Sequence, residues 1–360
     1  MERKLHYNFI DVFKSPFEAF SAKKILVMTF FLLGSLIVYN IFTYLAFYFN
    51  DEKISTIFSV YTFFPFYKII FSNPIAQIIF ILGAIIAVLT LMLGFFAVSI
   101  LEIESIRGNK FMKPEHAIKK AFGRFKQILL AEIGIASFIL FIVFLFTLLG
   151  LISRIPYIGE LIYAILFVIP NFIIAILTLF IILVFLISII LLPTVSAAEK
   201  KGEAFQSILE TFATIIRQPF RWGGYTLLSL VSGKLSSFVY AYICYRSVQF
   251  IAWATSLSGG DNTKVLVKKS LSLLPIRTDV TAFTFQAFPG IDFGFSLTQY
   301  ARYSSNSLAE YLMAFMIFII FASIIGYFLT IIAVGQARGY AVIRYLKDGY
   351  KIEDEEPQEA

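Results

Sequence analysis

Cysteine, histidine and charge are all scarce in this sequence, and each scarcity excludes a class of protein. Cys244 is the single cysteine among 360 residues, so neither a disulfide framework nor a thiolate metal cluster is expected. The two histidines, His6 and His116, lie outside the long apolar runs, which argues against a histidine relay. Charged residues make up 15% of the chain, whereas an average soluble domain has about 25%.

The sequence is instead rich in apolar residues. Hydrophobic residues make up 59% of the sequence, the mean hydropathy is +0.83, and there are 42 Phe and 19 Tyr. A soluble fold of this size could not bury so much apolar surface, and Phe and Tyr suit membrane spans and interfacial belts. The composition therefore predicts an all-α, polytopic integral membrane protein.

Six apolar runs are long enough to cross a bilayer, which takes about 20 residues. They lie at 25–49, 75–100, 128–152, 161–193, 223–245 and 308–334, within one predicted transmembrane domain over 1–334. The first is too long for the apolar region of a cleaved signal peptide, so we expect an uncleaved anchor. Pro170-Asn171 interrupts the fourth run; the simplest interpretation is one kinked helix, and a short re-entrant piece before Pro170 is the alternative.

The distribution of Lys and Arg predicts the orientation. Segments 1–24, 101–127, 194–222 and 335–360 hold 20 of the 30 basic residues, and the segments on the opposite side hold nine. Cytoplasmic segments carry the excess of Lys and Arg, so both termini are expected in the cytoplasm.

Two segments outside the spans have their own character. The non-cytoplasmic loop 257–307 contains two candidate elements, Val265 to Leu274 and Asp279 to Phe288, and the strand-type alternation of the second suggests a short hairpin or lid. The acidic tail 348–360 is expected to be solvated and disordered.

The cytoplasmic segments share an amphipathic pattern. Residues 114–127 and 203–217 have apolar positions at three- and four-residue steps, and the N-terminal phenylalanines make a similar stripe. Such helices lie at the membrane interface and bind anionic headgroups. The basic residues expected at this surface are Lys119, Lys120, Arg124, Lys126, Arg217 and Arg221. Each amphipathic helix precedes two spans, which suggests a threefold repeat, although any six-span protein with amphipathic loops would show the same order.

Lys234 is the costliest residue in the sequence, because a charge in the middle of a span costs about 2.5–3.5 kcal/mol. It requires a partner, such as Glu132, Glu102 or Glu104, or a side chain that snorkels toward the interface. The alternative is a water-filled cavity in which the lysine binds a substrate or an anion. Ser229, Gly233 and Ser237 share its helix at four-residue spacing. The stripe is typical of close helix packing, and the alternative is a polar path through the protein.

Catalytic and cofactor motifs are missing. The sequence has no HExxH, no GxSxG and no phosphate-binding P-loop, so neither an enzyme activity, a metal nor a cofactor is expected. The positive charge flanks apolar spans, which favours lipid headgroups over nucleic acid as the partner.

One stretch resembles known families. Leu191-Leu192-Pro193-Thr194-Val195 ends a span, Glu199 and Gly202 follow, and Glu203-Ala204-Phe205 opens a helix that reaches Arg217-Gln218-Pro219-Phe220-Arg221-Trp222-Gly223. This order is similar to the membrane domain attached to some bacterial glycerophosphoryl diester phosphodiesterases and to YciC-like inner-membrane proteins. A weaker similarity links Ala197-Ala198-Glu199 and Gly202 to the ATPase-docking loop of ABC importers, although the order of residues is changed.

The resemblance implies a protein of the bacterial cytoplasmic membrane concerned with envelope or lipid homeostasis, without hydrolase activity because the catalytic domain is absent. The leading hypothesis is a scaffold whose partners are membrane lipids, with a homo-oligomer or a membrane-protein partner as further expectations. A transporter or permease subunit with a path around Lys234 is the alternative, and a lipid enzyme is third.

Overall fold

The structure is a computed structural model that describes residues 5–61, 71–166, 170–199, 203–274 and 307–355. Every regular element in these ranges is a helix. Six helices are long and apolar enough to cross a membrane. They are α3 (Ala22–Phe49), α5 (Pro74–Ile106), α6 (Pro114–Ile152), α8 (Phe172–Ala198), α10 (Pro219–Gly259) and α12 (Leu308–Asp348). The predicted all-α, six-span class is confirmed, and the chain is a multi-pass membrane protein.

The membrane helices extend well beyond the apolar runs that predict them. Helix α6 begins at Pro114, so the expected amphipathic helix over 114–127 is the first part of the third span and not a separate element. Helices α10 and α12 have 41 residues each, or about 60 Å, twice the hydrocarbon thickness of about 30 Å. Helices α6 and α10 contain proline only at their first residue, and α12 contains none. Because an internal proline would interrupt the helix, its absence lets these helices continue beyond their apolar runs.

Shorter helices connect the spans. They are α1 (Phe9–Phe13), α2 (Ser15–Ala19), α4 (Ile54–Tyr61), α7 (Ile158–Leu166), α9 (Ala204–Arg217) and α11 (Asp261–Ser272). At the start of α1, the Asn8 side chain accepts a hydrogen bond from the Ile10 amide at 2.9 Å, and Asp11 accepts one from the Asn8 amide at 3.4 Å. This capping box satisfies amide donors at the N-terminus of α1 and defines where the helix begins.

Two described helices overlap the fourth apolar run. Helix α7 covers its first part and α8 begins at Phe172, with Pro170 and Asn171 in a π-helical turn before it. Residues 167–169 between them lie outside the described residues. One kinked helix over 161–193, and the alternative of a separate short piece before Pro170, both stay predictions. A proline removes one helical hydrogen bond and displaces the carbonyl four residues earlier, which favours a break at this position.

The two segments outside the spans also differ from expectation. The first predicted loop element, from Val265, belongs to α11 and is helical; the second, Asp279 to Phe288, lies outside the described residues. The tail predicted to be disordered from 348 contains a 3₁₀ helix, Ile352–Asp354, whose Ile352 side chain is fully buried. Burial of this isoleucine and of the following Glu355 orders the segment.

The chain divides into two compact units. Unit 1 contains residues 1–18, 95–230 and 331–360, and unit 2 contains residues 19–94 and 231–330. In unit 1, α6, α8 and α9 pack against one another. In unit 2, Phe47, Phe71 and Phe80 form an aromatic core, and a Cβ on Gly326 would lie 2.2 Å from the Thr29 hydroxyl, so α12 and α3 approach closely there. Unit 1 carries most of the buried ionic groups.

Candidate functional site

The small residues of the α10 stripe are buried, as close packing requires. Ser229, Gly233 and Ser237 are all buried. Ser229 is fully buried and donates a hydrogen bond to the Tyr225 carbonyl at 2.9 Å. A Cβ on Gly335 of α12 would lie 2.1 Å from the Ser229 hydroxyl. The first part of the stripe is therefore a contact between α10 and α12 within unit 1, of the small-residue type found between membrane helices.

Lys234 and Glu132 have separate surroundings. Glu132 is buried in unit 1, and its carboxylate accepts a hydrogen bond from Ser188 of α8 at 2.7 Å. Lys234 belongs to unit 2, its side chain is exposed, and no ion pair involves it in the described part of the chain. The other proposed partners, Glu102 and Glu104, bind cations of unit 1. These contacts of the carboxylates lie within unit 1, and a pairing of Lys234 with one of them stays a prediction.

The six basic residues expected at the membrane surface fall into two groups. Lys119, Lys126, Arg217 and Arg221 are exposed. Lys120 and Arg124 are partly buried and turned to the protein: Lys120 lies 3.6 Å from Glu104, and Arg124 donates to the Glu199 carbonyl at 2.7 Å. Only the exposed group is available to headgroups in this structure.

Arg338 is the centre of one buried ionic cluster. Its Nε donates to the fully buried Glu102 carboxylate at 2.7 Å, and its Nη2 lies 3.5 Å from Glu18. Its Nη1 reaches the Asp11 carbonyl at 3.5 Å. One guanidinium therefore joins α12 to α5 and to the N-terminal helices α1 and α2.

Arg107, which follows α5, is the centre of a second cluster. Its Nη1 donates to Glu104 at 3.1 Å, and its Nη2 donates both to the Ala198 carbonyl at 2.8 Å and to the Glu355 carboxylate. Arg124 binds the next carbonyl, that of Glu199. Two guanidinium groups thus satisfy consecutive carbonyls at the C-terminus of α8, where the helix dipole favours positive charge.

Further pairs connect the end of α12 to α8 and α9. Arg344 lies 3.7 Å from the Glu199 carboxylate, and Lys347 donates to Glu210 of α9 at 2.6 Å. The Arg344 guanidinium also lies over the Tyr350 ring, 4.5 Å from its centroid. Buried ion pairs of this kind offset the desolvation of their own charges only when geometry and hydrogen bonding are good.

Glu199 is a carboxylate of these clusters for which this compensation is incomplete. Burial raises the pKa of Glu199 above its usual value, and nearby Glu210 and Glu355 raise it too, while Arg344 opposes them. The Glu199 Oε1 atom accepts no hydrogen bond in the described part of the chain. The folded protein therefore binds a proton on Glu199 more tightly than the unfolded chain does. The protonated Glu199 contributes stability at low pH, and this contribution is lost as the pH rises from the ordinary pKa of 4.5 through the raised pKa of the folded protein.

We expect Glu199→Gln to be at least as stable as the natural protein at neutral pH, because it removes a poorly compensated buried charge. The advantage should shrink as the pH is lowered toward the ordinary pKa of a glutamate, where Glu199 is itself protonated. Thermal unfolding of both proteins in detergent across this pH range checks the prediction. A variant that is less stable at neutral pH, with a gap independent of pH, would contradict it.

Three residues central to these clusters had no role in the sequence interpretation: Arg107, Arg338 and Glu355. Each lies at the end of a span or in the tail, where charge is unremarkable. Glu102 and Glu104, which follow the second apolar run, could have predicted that a cation lies near them. A carboxylate at the end of an apolar run requires a cation when that end of the helix is buried. The spacing of residues could not show which cation it is, because Arg338 is 236 residues from Glu102 in the sequence.

No protein-family model, curated protein or solved structure matches the chain. Among the described residues, no group of three or more His, Cys, Asp or Glu side chains could hold a metal ion.

Proposed function

We propose that this chain is a non-catalytic structural protein of the bacterial cytoplasmic membrane, which binds the anionic cytoplasmic leaflet and acts in envelope or lipid homeostasis. The observation that carries the proposal is a set of exposed phenylalanines at the ends of the spans, which around α6, α9 and α10 accompany exposed Lys and Arg. The resemblance to YciC-like inner-membrane proteins supports the same assignment.

The exposed phenylalanines lie on segments at the ends of the spans. Four are on or beside α1 and α2, and the others are near the starts of α6, α9 and α10. Each is more than half exposed: Phe9, Phe13, Phe17, Phe20, Phe111, Phe122, Phe205 and Phe220. Aromatic rings beside cationic side chains are the combination that interfacial helices use, since the rings enter the acyl boundary and the cations bind headgroups.

Contacts between the two ends of the chain support termini on one side of the membrane. The Leu5 amide donates to Glu353 at 3.4 Å, and the rings of Tyr7 and Tyr345 lie 4.2 Å apart. An even number of spans brings the two ends to the same side. The excess of Lys and Arg on the terminal segments supports the cytoplasm as that side, and reporter fusions to each terminus test it.

The double variant Lys119→Gln/Lys126→Gln is expected to lose at least half of the stabilisation that an anionic bilayer provides. Each cation near an anionic surface contributes attraction that a neutral amide lacks. The measurement is the difference in unfolding temperature between nanodiscs of phosphatidylglycerol and of phosphatidylcholine. Lys53→Gln/Arg154→Gln is the matched control, because both residues are exposed and belong to the segments assigned to the other side. An equal loss in the control would contradict the proposed lipid surface.

Two observations favour a transporter as a second candidate. Lys234 is exposed on a helix apolar enough to span the membrane, and the Ser237 hydroxyl is buried without a hydrogen-bond partner in the described part of the chain. A polar path along α10 would use both groups.

Accessibility of single cysteines separates the two candidates. In a Cys244→Ser background, a membrane-impermeant thiol reagent would be applied to Lys234→Cys, Ser237→Cys and Ser247→Cys. For a structural protein, the first two are silent and Ser247→Cys, beyond the predicted apolar run, reacts. Modification of both inner positions would establish an aqueous path and replace the structural proposal with transport.

A further inference from the structure

The C-terminal segment that follows α12 occupies a cationic site of unit 1. Gly349, with a φ of +69°, ends the helix and turns the chain back. The segment is then held by the buried Ile352, by Lys351 over the Tyr7 and Tyr345 rings, and by the Glu355 carboxylate. Glu355 accepts hydrogen bonds from Arg107 and from the Tyr350 hydroxyl. The carboxylate is therefore the ligand of a guanidinium whose side chain is fully buried.

The site around Glu355 has an excess of positive charge. It consists of Arg107, Lys120, Arg124, Arg344, Glu104, Glu199 and Glu355, which we call the Arg107 cluster. These are four cations and three carboxylates. Without Glu355, four cations would face two carboxylates. The tail therefore supplies a negative charge that an external anion could supply in its place.

Two buried donors of the cluster have no acceptor within the described residues. They are Nε of Arg107 and Nη1 of Arg344. The two arginines meet around the same tail, since the Arg344 guanidinium lies over the Tyr350 ring and Tyr350 donates to Glu355. A buried N–H without an acceptor costs free energy. A carboxylate offers two oxygens, whereas a phosphate or phosphomonoester offers more, arranged to accept from several guanidinium donors.

We propose that the Arg107 cluster is a binding site for a phosphate or phosphomonoester group, and that Glu355 is a competitor built into the chain. The inference goes beyond the structural role above and does not depend on it. Both a phosphomonoester lipid headgroup and soluble phosphate have the required chemistry. In either case, binding displaces the segment from Gly349 onward and frees the acidic tail.

The test compares phosphate binding by the full-length protein and by Glu355→Gln in detergent, by calorimetric titration with inorganic phosphate against sodium chloride of equal ionic strength. We expect Glu355→Gln to bind at least about tenfold more tightly, because a competitor that occupies the site for nine-tenths of the time lowers the apparent affinity tenfold. Asp354→Asn is the matched control: it removes one charge from the same segment, but Asp354 is exposed. Its affinity should stay within about twofold of the natural protein.

The cluster itself is tested in the Glu355→Gln background. Adding Arg107→Gln should abolish the gained affinity. Because Arg107→Gln leaves buried partners unpaired and can fail to fold, Arg344→Gln, at the edge of the cluster, is the second variant and should reverse most of the gain. If Glu355→Gln binds neither inorganic phosphate nor phosphatidic acid better than the natural protein, or if Asp354→Asn gains as much, the proposal is overturned.

A lipid arm identifies the source of the phosphate. Native mass spectrometry would count phosphatidic acid bound to each protein after reconstitution in phosphatidylcholine with either phosphatidic acid or phosphatidylglycerol. Enrichment of phosphatidic acid by Glu355→Gln, without a gain for inorganic phosphate, supports a headgroup site. The reverse supports a soluble ligand, and a gain in neither arm rejects the site.

Discussion

Arg338→Gln is expected to lower the free energy of unfolding by about 3–5 kcal/mol, the typical cost of removing one partner of a buried ion pair. Arg338 is 8% exposed and its partner Glu102 is fully buried, with the two groups 2.7 Å apart. The substitution removes a cation in direct contact with Glu102 and also the contacts with Glu18 and the Asp11 carbonyl. Equilibrium unfolding in mixed micelles provides the measurement.

Two further variants separate the ion pair from other effects. Glu102→Gln in the Arg338→Gln background should recover part of the loss, because a neutral pair carries no unpaired buried charge. Arg221→Gln is the control, since Arg221 is exposed and its one side-chain hydrogen bond among the described residues is to Gln218; it should change stability by no more than about 0.5 kcal/mol. A loss for Arg338→Gln as small as that of the control would show that this cluster does not hold α12 to α5.

Gly335→Ala is expected to destabilise the protein by about 1–3 kcal/mol, the usual cost of overpacking a well-packed contact. The added methyl group would lie 2.1 Å from the Ser229 hydroxyl, 2.7 Å from the Ser229 Cβ and 3.4 Å from the Ser15 hydroxyl. The first two distances are shorter than van der Waals contact, so α10 and α12 must move apart. Thermal unfolding in detergent measures the effect.

A second substitution and a neighbouring glycine make this prediction specific. Ser229→Gly removes the two closest atoms, so the double variant Gly335→Ala/Ser229→Gly should be more stable than Gly335→Ala alone. Gly339→Ala lies one turn further along α12, where the nearest atom is the Tyr225 Cβ at 3.5 Å. That is ordinary contact, and alanine favours the helix by about 1 kcal/mol, so this control should be neutral or stabilising. Equal losses at both glycines would mean that close packing at Ser229 is not the cause.

The order of helices could be read from the sequence in part. Hydropathy located all six spans, but the helices that contain them extend further: the third begins at Pro114 and the last continues to Asp348. A helix continues as long as its residues tolerate helical geometry, whether or not they are apolar, and a hydropathy window detects only the apolar part. In each pair of spans a short helix follows the first span: Ile54–Tyr61, Ile158–Leu166 and Asp261–Ser272. This order agrees with a threefold repeat, which stays a prediction.

The surroundings of Lys234 could not be predicted from the local sequence. Its cost inside a span is a property of the residue and its flanking sequence, so the sequence was sufficient to single it out. Whether it faces a carboxylate, a path or lipid depends on the rotation of α10 against its neighbours. The structure exposes Lys234 and buries Ser229, Gly233 and Ser237. Helix packing, and not the cost of the charge, decided that arrangement.

By itself, the sequence determined the all-α membrane class, the number of spans and the positions of the basic and aromatic residues that flank them. These follow from hydropathy and periodicity, which are sums over neighbouring residues. Only the tertiary structure decided which charges meet: Arg338 with Glu102, and Arg107 with Glu355, 248 residues away. Such pairs form because folding buries both groups at once, and a buried charge is stable only beside its partner.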